Sequence, residues 1–321
     1  MKYIGYFLST IVFLSVSTGC NNQPSKVAAN LKELDLSAYS AEKPEKKLNL
    51  LFIHHSCGAT LMADKGGKSG EYCLWPTHPN GGGLRKLLQQ NNYNVHEATY
   101  GSNIGQETNI NHWYTKFQDY MDIILKTDHQ NNVYKDDSIN QIIVFKSCYP
   151  NNKIKADGTS PGDPDSPERT LWNCKAAYNS LLPIFREHPG TLFVAMTAPP
   201  IVKPWMNRYK EKLLNLIGKG PEQTGNRARV LNNWLKDAET GWLKDYDLKN
   251  VVVFDLYDIL TGKGESNWTK YATRDGKNSH PNAEGNAKAA EEFIPFLNRL
   301  VRYSSIAENN SSNHQEMTLT Q

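Results

Sequence analysis

The chain has 321 residues, in which 36 Lys and Arg side chains stand against 33 Asp and Glu, for a formal net charge of +3. That excess is too small for an electrostatic grip on nucleic acid, and no basic block is present, so we expect no nucleic-acid partner. Between Leu48 and Val301 no linker divides the chain, which favours one substantial α/β domain.

The first twenty residues have the pattern of an export signal. Met1–Tyr3 is weakly positive, and Ile4–Val16 is mostly apolar but shorter than a transmembrane helix. The small residues that end at Cys20 resemble a bacterial lipoprotein signal, in which that cysteine is lipidated and becomes the mature N-terminus. Such an anchor contributes about 0.8 kcal/mol of membrane binding for each buried methylene. An ordinary cleaved signal is the alternative.

This interpretation predicts an exported lipoprotein of the cell envelope, on the periplasmic side or at the cell surface, with the membrane as a partner. Residues 21–47 are polar and contain proline and charge, which predicts a flexible tether between membrane and domain. The folded domain is predicted to span residues 48–303. Residues 304–321 are polar and are predicted to form a disordered tail.

Apolar segments typical of strands alternate with helical segments from Leu48 onward. The predicted strands are Leu48–Ile53, Tyr93–Thr99, Gln141–Lys146, Thr191–Thr197 and Asn250–Leu256. The predicted helices are Gly83–Asn91, Phe117–Lys126, Thr170–Glu187, Arg227–Trp242 and Ala283–Val301. Because strand and helix alternate, we expect a five-stranded parallel sheet with right-handed crossovers and helices on both faces.

Candidate functional residues follow the strand ends, where such sheets bind ligands. Ser56 follows the first strand, Gly101 the second, Asn151 the third, and His280 lies in the loop after the fifth. A serine needs a neutral histidine within hydrogen-bond reach to take its proton, and His280 is the candidate for Ser56. Asn152 competes with Asn151 for the third position.

Four cysteines remain after Cys20, and an exported chain meets an oxidising compartment, so two disulfides are expected among them. These cysteines are Cys57, Cys73, Cys148 and Cys174. Pairing Cys57 with Cys73, and Cys148 with Cys174, would close two loops, whereas pairing Cys57 with Cys148 would tie two strand ends together. The sequence does not choose between these pairings. Cys148 as a thiol nucleophile is an alternative.

The cysteine spacing is not that of a structural zinc site. The adjacent His54 and His55 would point to opposite faces of a strand, so they form a poor chelate. We therefore expect no metal and no cofactor.

Four loops at the predicted site are long for an α/β unit, and long loops at a site usually shape specificity. They are Ala59–Asn80, Ser102–Trp113, Asn152–Glu168 and Pro199–Gln223. They contain Trp75, Trp113 and Trp205, which suit stacking on sugar rings if exposed and core packing if buried. A carbohydrate is therefore the expected substrate.

The order Ser, Gly, Asn and His, each after its strand, resembles the SGNH (GDSL-like) hydrolase superfamily over residues 48–301. The blocks that match are His54-His55-Ser56-Cys57-Gly58, Tyr100-Gly101-Ser102-Asn103, Lys146-Ser147-Cys148-Tyr149-Pro150-Asn151 and Asp275-Gly276-Lys277-Asn278-Ser279-His280. The resemblance implies a flavodoxin-like three-layer sandwich. It also implies an oxyanion hole formed by the backbone N–H groups of Ser56 and Gly101 and the side-chain amide of Asn151.

The resemblance further implies that an aspartate orients His280. Lys277 stands at the family's usual aspartate position, so Asp275 is the nearest carboxylate for this role. Asp255, a backbone carbonyl, or a dyad without an acid are the alternatives.

The predicted activity is that of a serine esterase, which removes acetyl or other short acyl groups from carbohydrate through an acyl-enzyme. A degenerate glycan-binding lipoprotein with the same fold is one alternative, and a lipase or thioesterase is another.

Overall fold

The structure is a computed structural model that describes residues 31–306. The predicted signal, lipidation of Cys20, the first part of the tether and most of the predicted tail lie outside the described residues. Within residues 31–306, no helix combines the length and the apolar character needed to cross a membrane.

A five-stranded parallel sheet forms the centre of the domain. Its strands are β1 (Leu48–Ile53), β2 (Tyr93–Ala98), β3 (Ile142–Lys146), β4 (Leu192–Met196) and β5 (Val251–Phe254). The order across the sheet is β2-β1-β3-β4-β5, which is the flavodoxin-like order. Ile53 is in register with both Ala98 and Phe145, so the carboxyl ends of the three neighbouring strands meet at one level. The predicted sheet is confirmed.

Helices lie on both faces of the sheet. Within the described residues they are α1 (Ser56–Met62), α2 (Leu84–Gln90), α3 (Trp113–Lys126), α4 (Leu171–Asn179), α5 (Leu181–Arg186), α6 (Arg208–Leu216), α7 (Pro221–Lys236), α8 (Leu256–Thr261) and α9 (Ala283–Tyr303). The predicted helix Thr170–Glu187 is divided at Ser180. The prediction Arg227–Trp242 corresponds to α7, which begins at Pro221 because proline fits the first turn of a helix.

Alternate residues of β1 supply the two apolar layers. Leu50 and Phe52 pack with α1, α2, α8 and α9 on one face. Leu51 and Ile53 pack with α3, α4, α5 and α7 on the other. Fully burying one such side chain contributes about 1.5 to 3 kcal/mol, so both layers stabilise the sheet. Ile306, in the predicted tail, also belongs to the first layer.

Residues 31–47 pack on the domain, where the sequence predicted a flexible tether. Leu36 is buried in the first apolar layer, and the rings of Tyr39 and Tyr303 meet edge to face at 5.6 Å. The guanidinium of Arg299 donates to the carbonyl of Tyr39 at 2.7 Å. Because apolar anchors and backbone acceptors of this polar segment both find partners on α9, the ordered domain begins before Leu48.

The four cysteines expected in disulfides are free thiols, contrary to the prediction. Cys73 packs in a small cluster with Trp75, and Cys174 lies in the second apolar layer, so the two are buried in separate places. Burial raises the pKa of the Cys73 thiol to about 11 and that of Cys174 to about 12, which keeps both protonated at neutral pH.

Candidate active site

The nucleophile candidate, Ser56, lies in a tight strand-to-helix turn. Strand β1 ends at Ile53 and helix α1 begins at Ser56, so only two residues connect them. Gly58 makes this turn possible, because a Cβ at that position would lie 2.4 Å from the Cβ of His54. The N–H groups of a first helical turn have no intrahelical acceptors. The turn therefore brings a hydroxyl and unpaired backbone donors to the carboxyl end of β1.

Ser56 lies where the direction of the chain through the sheet reverses. From β1 the chain crosses to β2 on one side, and it returns to β3 on the other side. Cys148, in the segment after β3, places its Sγ 3.9 Å from Ser56 Oγ. Open α/β sheets bind ligands at such switch points, because the loops there diverge and leave a crevice.

The structure brings Ser56 and His280 together. The Oγ of Ser56 lies 2.9 Å from Nε2 of His280, across 224 residues of sequence. His280 belongs to the strand Asn278–Pro281, which pairs antiparallel with Ala272–Thr273 and leads directly into α9. The ring of Tyr149 stands edge-on to the imidazole at 5.0 Å.

Asn278 determines the tautomer of His280. Its Oδ1 lies 2.9 Å from the backbone N of His280 and 2.7 Å from Nδ1 of the same residue. A backbone N–H can only donate, so the amide atom that faces it must be the oxygen. That oxygen can only accept from Nδ1, which must therefore carry the proton. The lone pair of Nε2 then points at the hydroxyl of Ser56, as a general base requires.

Sequence reasoning missed Asn278 because it searched for a carboxylate. The available signal was spacing: residues two apart on a strand project from the same face, so Asn278 and His280 must lie side by side. In the sequence Asn278-Ser279-His280, the amide of Asn278 stands two residues before the histidine.

Asp275, which was predicted to orient His280, lies elsewhere. It is exposed at the tip of the hairpin before His280 and has a left-handed φ of 51°. The alternative, Asp255, accepts a hydrogen bond from the N–H of Asp258 at 3.0 Å and pairs with Lys236 at 3.0 Å. Within residues 31–306 neither carboxylate is hydrogen-bonded to the imidazole, and Asn278 is the partner of its Nδ1.

The predicted oxyanion residues differ in whether they have a hydrogen-bond donor to offer to the site. Gly101 follows β2 with φ at 87°, a conformation that favours glycine. Asn151 is 1% exposed, and its Nδ2 donates to Asn109 Oδ1 and to the carbonyl of Cys148, both at 3.1 Å. Because both amide hydrogens are engaged, Asn151 holds the turn after β3 instead of offering a donor to the site. Asn152 is likewise buried, and it donates to Ala198 and Pro199.

His54 and His55, the two residues before Ser56, stabilise the turn through side-chain hydrogen bonds. His54 is fully buried, and its Nε2 lies 3.1 Å from Glu97, which also accepts two hydrogen bonds from Arg85 at 2.8 and 2.9 Å. His55 lies 2.7 Å from the carbonyl of Gly105 through Nε2. Burial lowers the pKa of His55 to about 4, so it is neutral and donates to that carbonyl. Both side chains are buried and hydrogen-bonded within the protein.

Electrostatics keep His280 in its basic form. Burial lowers its pKa below the usual value, and the positive charges of Lys146 and Arg274 lower it further, against an opposing effect of Cys148. Lys146 is fully buried at the end of β3, and its Nζ donates to the carbonyl of Ser147 at 3.3 Å. At neutral pH the imidazole is therefore uncharged and able to accept a proton.

A cavity of about 710 Å³ opens beside His280. Trp75 lines it and stacks on His78 with ring centroids 4.7 Å apart. The other two candidate tryptophans lie elsewhere: Trp113 is buried in the core and donates to Ser147, and Trp205 is 92% exposed. Trp75 thus lines this cavity, but it is 9% exposed and packs in the small cluster with Cys73, so it is a core-packing residue at the cavity wall.

Comparisons with known proteins find likeness only among solved structures. No protein-family model matches the chain, and no curated protein is similar to it. A proposed acylhydrolase from Bacteroides fragilis is similar at 14% identity and a TM-score of 0.39, over 84% of this chain and 93% of that one.

Two carbohydrate esterases show a comparable likeness. A family 2 enzyme with a carbohydrate-binding domain, from Corynascus thermopiles (Myceliophthora fergusii), is 11% identical with a TM-score of 0.38, over 81% of this chain and 67% of that one. A family two esterase from Cellvibrio japonicus is 13% identical with a TM-score of 0.34, over 81% and 63%. The chemistry of the site therefore rests on its own geometry.

Proposed function

We propose that the protein is a serine esterase with Ser56 as nucleophile, His280 as general base and Asn278 as the residue that orients the imidazole. The observation that supports this most directly is the 2.9 Å contact between Ser56 Oγ and His280 Nε2, with Nδ1 held by Asn278. A nucleophile, its base and a third orienting group are the parts that acyl transfer requires.

In this mechanism Nε2 of His280 takes the proton of Ser56 while Oγ attacks the ester carbonyl. The N–H groups of Ser56 and Gly101 are assigned to the oxyanion, where one such donor typically contributes about 3 to 4 kcal/mol to the transition state. His280 then protonates the leaving alcohol. Water, deprotonated by the same imidazole, attacks the acyl-enzyme and releases the acid.

Asn278 gives this site a distinct energetic character. It holds the productive tautomer as a carboxylate would, but it adds no negative charge to balance the imidazolium that forms in the transition state. The proposed enzyme therefore relies on geometry and oxyanion donors more than on charge compensation at its base.

The proposed substrate is an acetyl or other short acyl ester of a carbohydrate. Asn80, Asn278 and Asn282 line the cavity and carry polar groups that suit sugar hydroxyls, beside the stacked rings of Trp75 and His78. This mixed lining favours a sugar over the continuous apolar groove that a lipase needs.

A glycan-binding protein without catalytic activity is the second candidate. Asn278 in place of a carboxylate favours it, because a site released from catalysis does not need a charged third member.

The test is hydrolysis of p-nitrophenyl acetate and release of acetate from acetylated polysaccharide by the purified protein. Ser56→Ala should abolish both activities, and the exposed Ser37→Ala is the matched control. Activity that survives Ser56→Ala would show that another residue is the nucleophile. Cys148 is the next candidate, because its Sγ lies 3.9 Å from Ser56 Oγ. Glycan binding without hydrolysis of any ester would favour the second candidate.

We also propose that Cys20 carries a lipid that anchors the protein in the cell envelope, on the strength of the N-terminal sequence pattern. Metabolic labelling with a fatty acid should mark the wild type, and Cys20→Ser should remove the label and release the protein from membranes.

A further inference from the structure

We propose that the cavity beside His280 is a subsite for an anionic group, so that the acylated carbohydrate is an acidic one. This inference rests on the proposed esterase function and specifies the substrate class of the same site. A carboxylate, as in a uronic acid, and a sulfate ester share the required chemistry.

The charges that line the cavity have one sign. Its twelve lining residues, all within the part of the chain that the structure describes, include Lys68 and Arg274 but no Asp or Glu. Neither cation forms an ion pair anywhere in residues 31–306. The chain as a whole is nearly balanced at +3, so this concentration of positive charge is local.

Lys68 is held against one wall. Its Nζ lies 5.0 Å from the centroid of the Trp75 ring, whose other neighbour is the parallel ring of His78. The carbonyl of Trp75 accepts a hydrogen bond from Arg85 at 3.1 Å, which fixes the backbone of this wall. The ammonium group therefore covers one face of the Trp75 ring, and His78 covers the other, so Lys68 is held at the cavity wall.

Arg274 lies on the other wall, in the hairpin that carries His280. The charge of each cation acts on one of the two histidines that line the same cavity. Burial is the larger cause of the low pKa of His280, and the charge of Arg274 adds to it. Burial likewise lowers the pKa of His78, and the charge of Lys68 adds to it. Asp275 follows Arg274 in sequence but does not line the cavity.

Unpaired cations in a crevice attract anions and raise their local concentration, which increases association rates about 10- to 1000-fold in known cases. A sugar bound in this cavity, with its acidic group at Lys68 and Arg274, would bring its acyl ester toward His280 and Ser56. A neutral sugar would make no ionic contact there.

The experiment compares kcat/KM for acetylated oligosaccharides of three kinds, namely neutral, uronic-acid and sulfated, at low and high salt. We expect at least one acidic substrate to be preferred over the neutral one by about tenfold or more at low salt, with the preference lost at high salt. Whichever acidic substrate is preferred identifies the source of the anion.

The double variant Lys68→Gln/Arg274→Gln should reduce the ratio of acidic to neutral kcat/KM to near one, and Lys68→Glu/Arg274→Glu should invert it. Lys135→Gln, an exposed lysine away from the cavity, is the matched control and should keep the wild-type ratio. Circular dichroism confirms that each variant is folded. An equal rate on all three substrates, or a ratio that the double variants leave unchanged, overturns the inference.

Failure of this inference can be separated from failure of the proposed function. If hydrolysis of p-nitrophenyl acetate depends on Ser56 but acidic substrates are not preferred, the anionic subsite is rejected and the esterase function stands. If no ester is hydrolysed, direct calorimetric titration of deacetylated acidic and neutral oligosaccharides tests the subsite independently. Tighter binding of the acidic one, lost in the double variant, supports it, and equal binding overturns it.

Discussion

Replacing Asn278 tests how the base is held, and the two most informative changes act in opposite directions. Asn278→Leu removes the acceptor of two donors, the Nδ1–H and the backbone N–H of His280, at 2.7 and 2.9 Å. Each buried donor left unpaired costs about 1 to 3 kcal/mol, and the ring loses its tautomer preference. Because general base catalysis contributes about 10²- to 10⁴-fold, we expect kcat/KM to fall about 100-fold or more.

Asn278→Asp keeps the acceptor and adds a charge. Two unit charges about 4 Å apart interact by about 4 kcal/mol at an effective dielectric constant of about 20. An opposite charge at this distance raises a histidine pKa by about 1 to 3. Since His280 is half-buried, we expect the lower part of that range and a gain of about tenfold in kcat/KM on the alkaline side.

The assay is the pH profile of kcat/KM on p-nitrophenyl acetate between about pH 4 and 9. In the wild type the rate should fall as pH drops through the pKa of His280, at a point below the ordinary histidine value, because burial lowers that pKa. The acid limb of Asn278→Asp should lie at higher pH. Wild-type rates in Asn278→Leu, or an unmoved limb in Asn278→Asp, would refute the reasoning.

Asp275→Asn is the matched control for both changes. Asp275 lies at the exposed hairpin tip, so its neutralisation should leave kcat/KM within about threefold of the wild type. If Asp275 oriented the imidazole, the loss would approach the roughly 10⁴-fold seen when a triad aspartate is amidated.

Three further predictions concern the support of the nucleophile turn. Gly58→Ala places a Cβ 2.4 Å from that of His54, so overpacking of about 1 to 3 kcal/mol should lower the thermal midpoint, and an unchanged midpoint would contradict the close approach. Glu97→Ala leaves Arg85 and His54 without their partner and should cost about 3 to 5 kcal/mol in urea unfolding, whereas a loss below about 1 kcal/mol would show that the network is not structural. His55 has a folded pKa of about 4, below its unfolded value of about 6.5, so the unfolded state binds more protons between these pH values. The stability it contributes is complete above about pH 6.5 and is lost toward pH 4; His55→Gln should flatten that decline in urea midpoints, and an equally steep decline would exclude His55 as its source.

Patterns of apolar residues predicted most of the fold. Where a segment has no such pattern, as in helix α1, its structure was not predicted. Four of the five strands are mainly apolar runs, whereas β2 also carries Asn94, His96 and Glu97. Helix α1 was missed because Cys57 to Met62 are all buried, so it has no polar face and no amphipathic period. The segment before Leu48 was misjudged for the opposite reason, since its composition is polar and its order depends on a few anchors such as Leu36 and Tyr39.

By itself, the sequence determined which residues follow the strand ends, because strand polarity and the alternation of strand and helix place Ser56 and His280 at one edge of a parallel sheet. Only the tertiary structure decided that their atoms meet across 224 residues, that Nδ1 of His280 is hydrogen-bonded to Asn278 and not to Asp275, and that Asn151 uses its amide within the protein. The physical reason is that strand order follows from local pattern, whereas hydrogen-bond partners depend on ångström-scale positions set by packing of the whole domain.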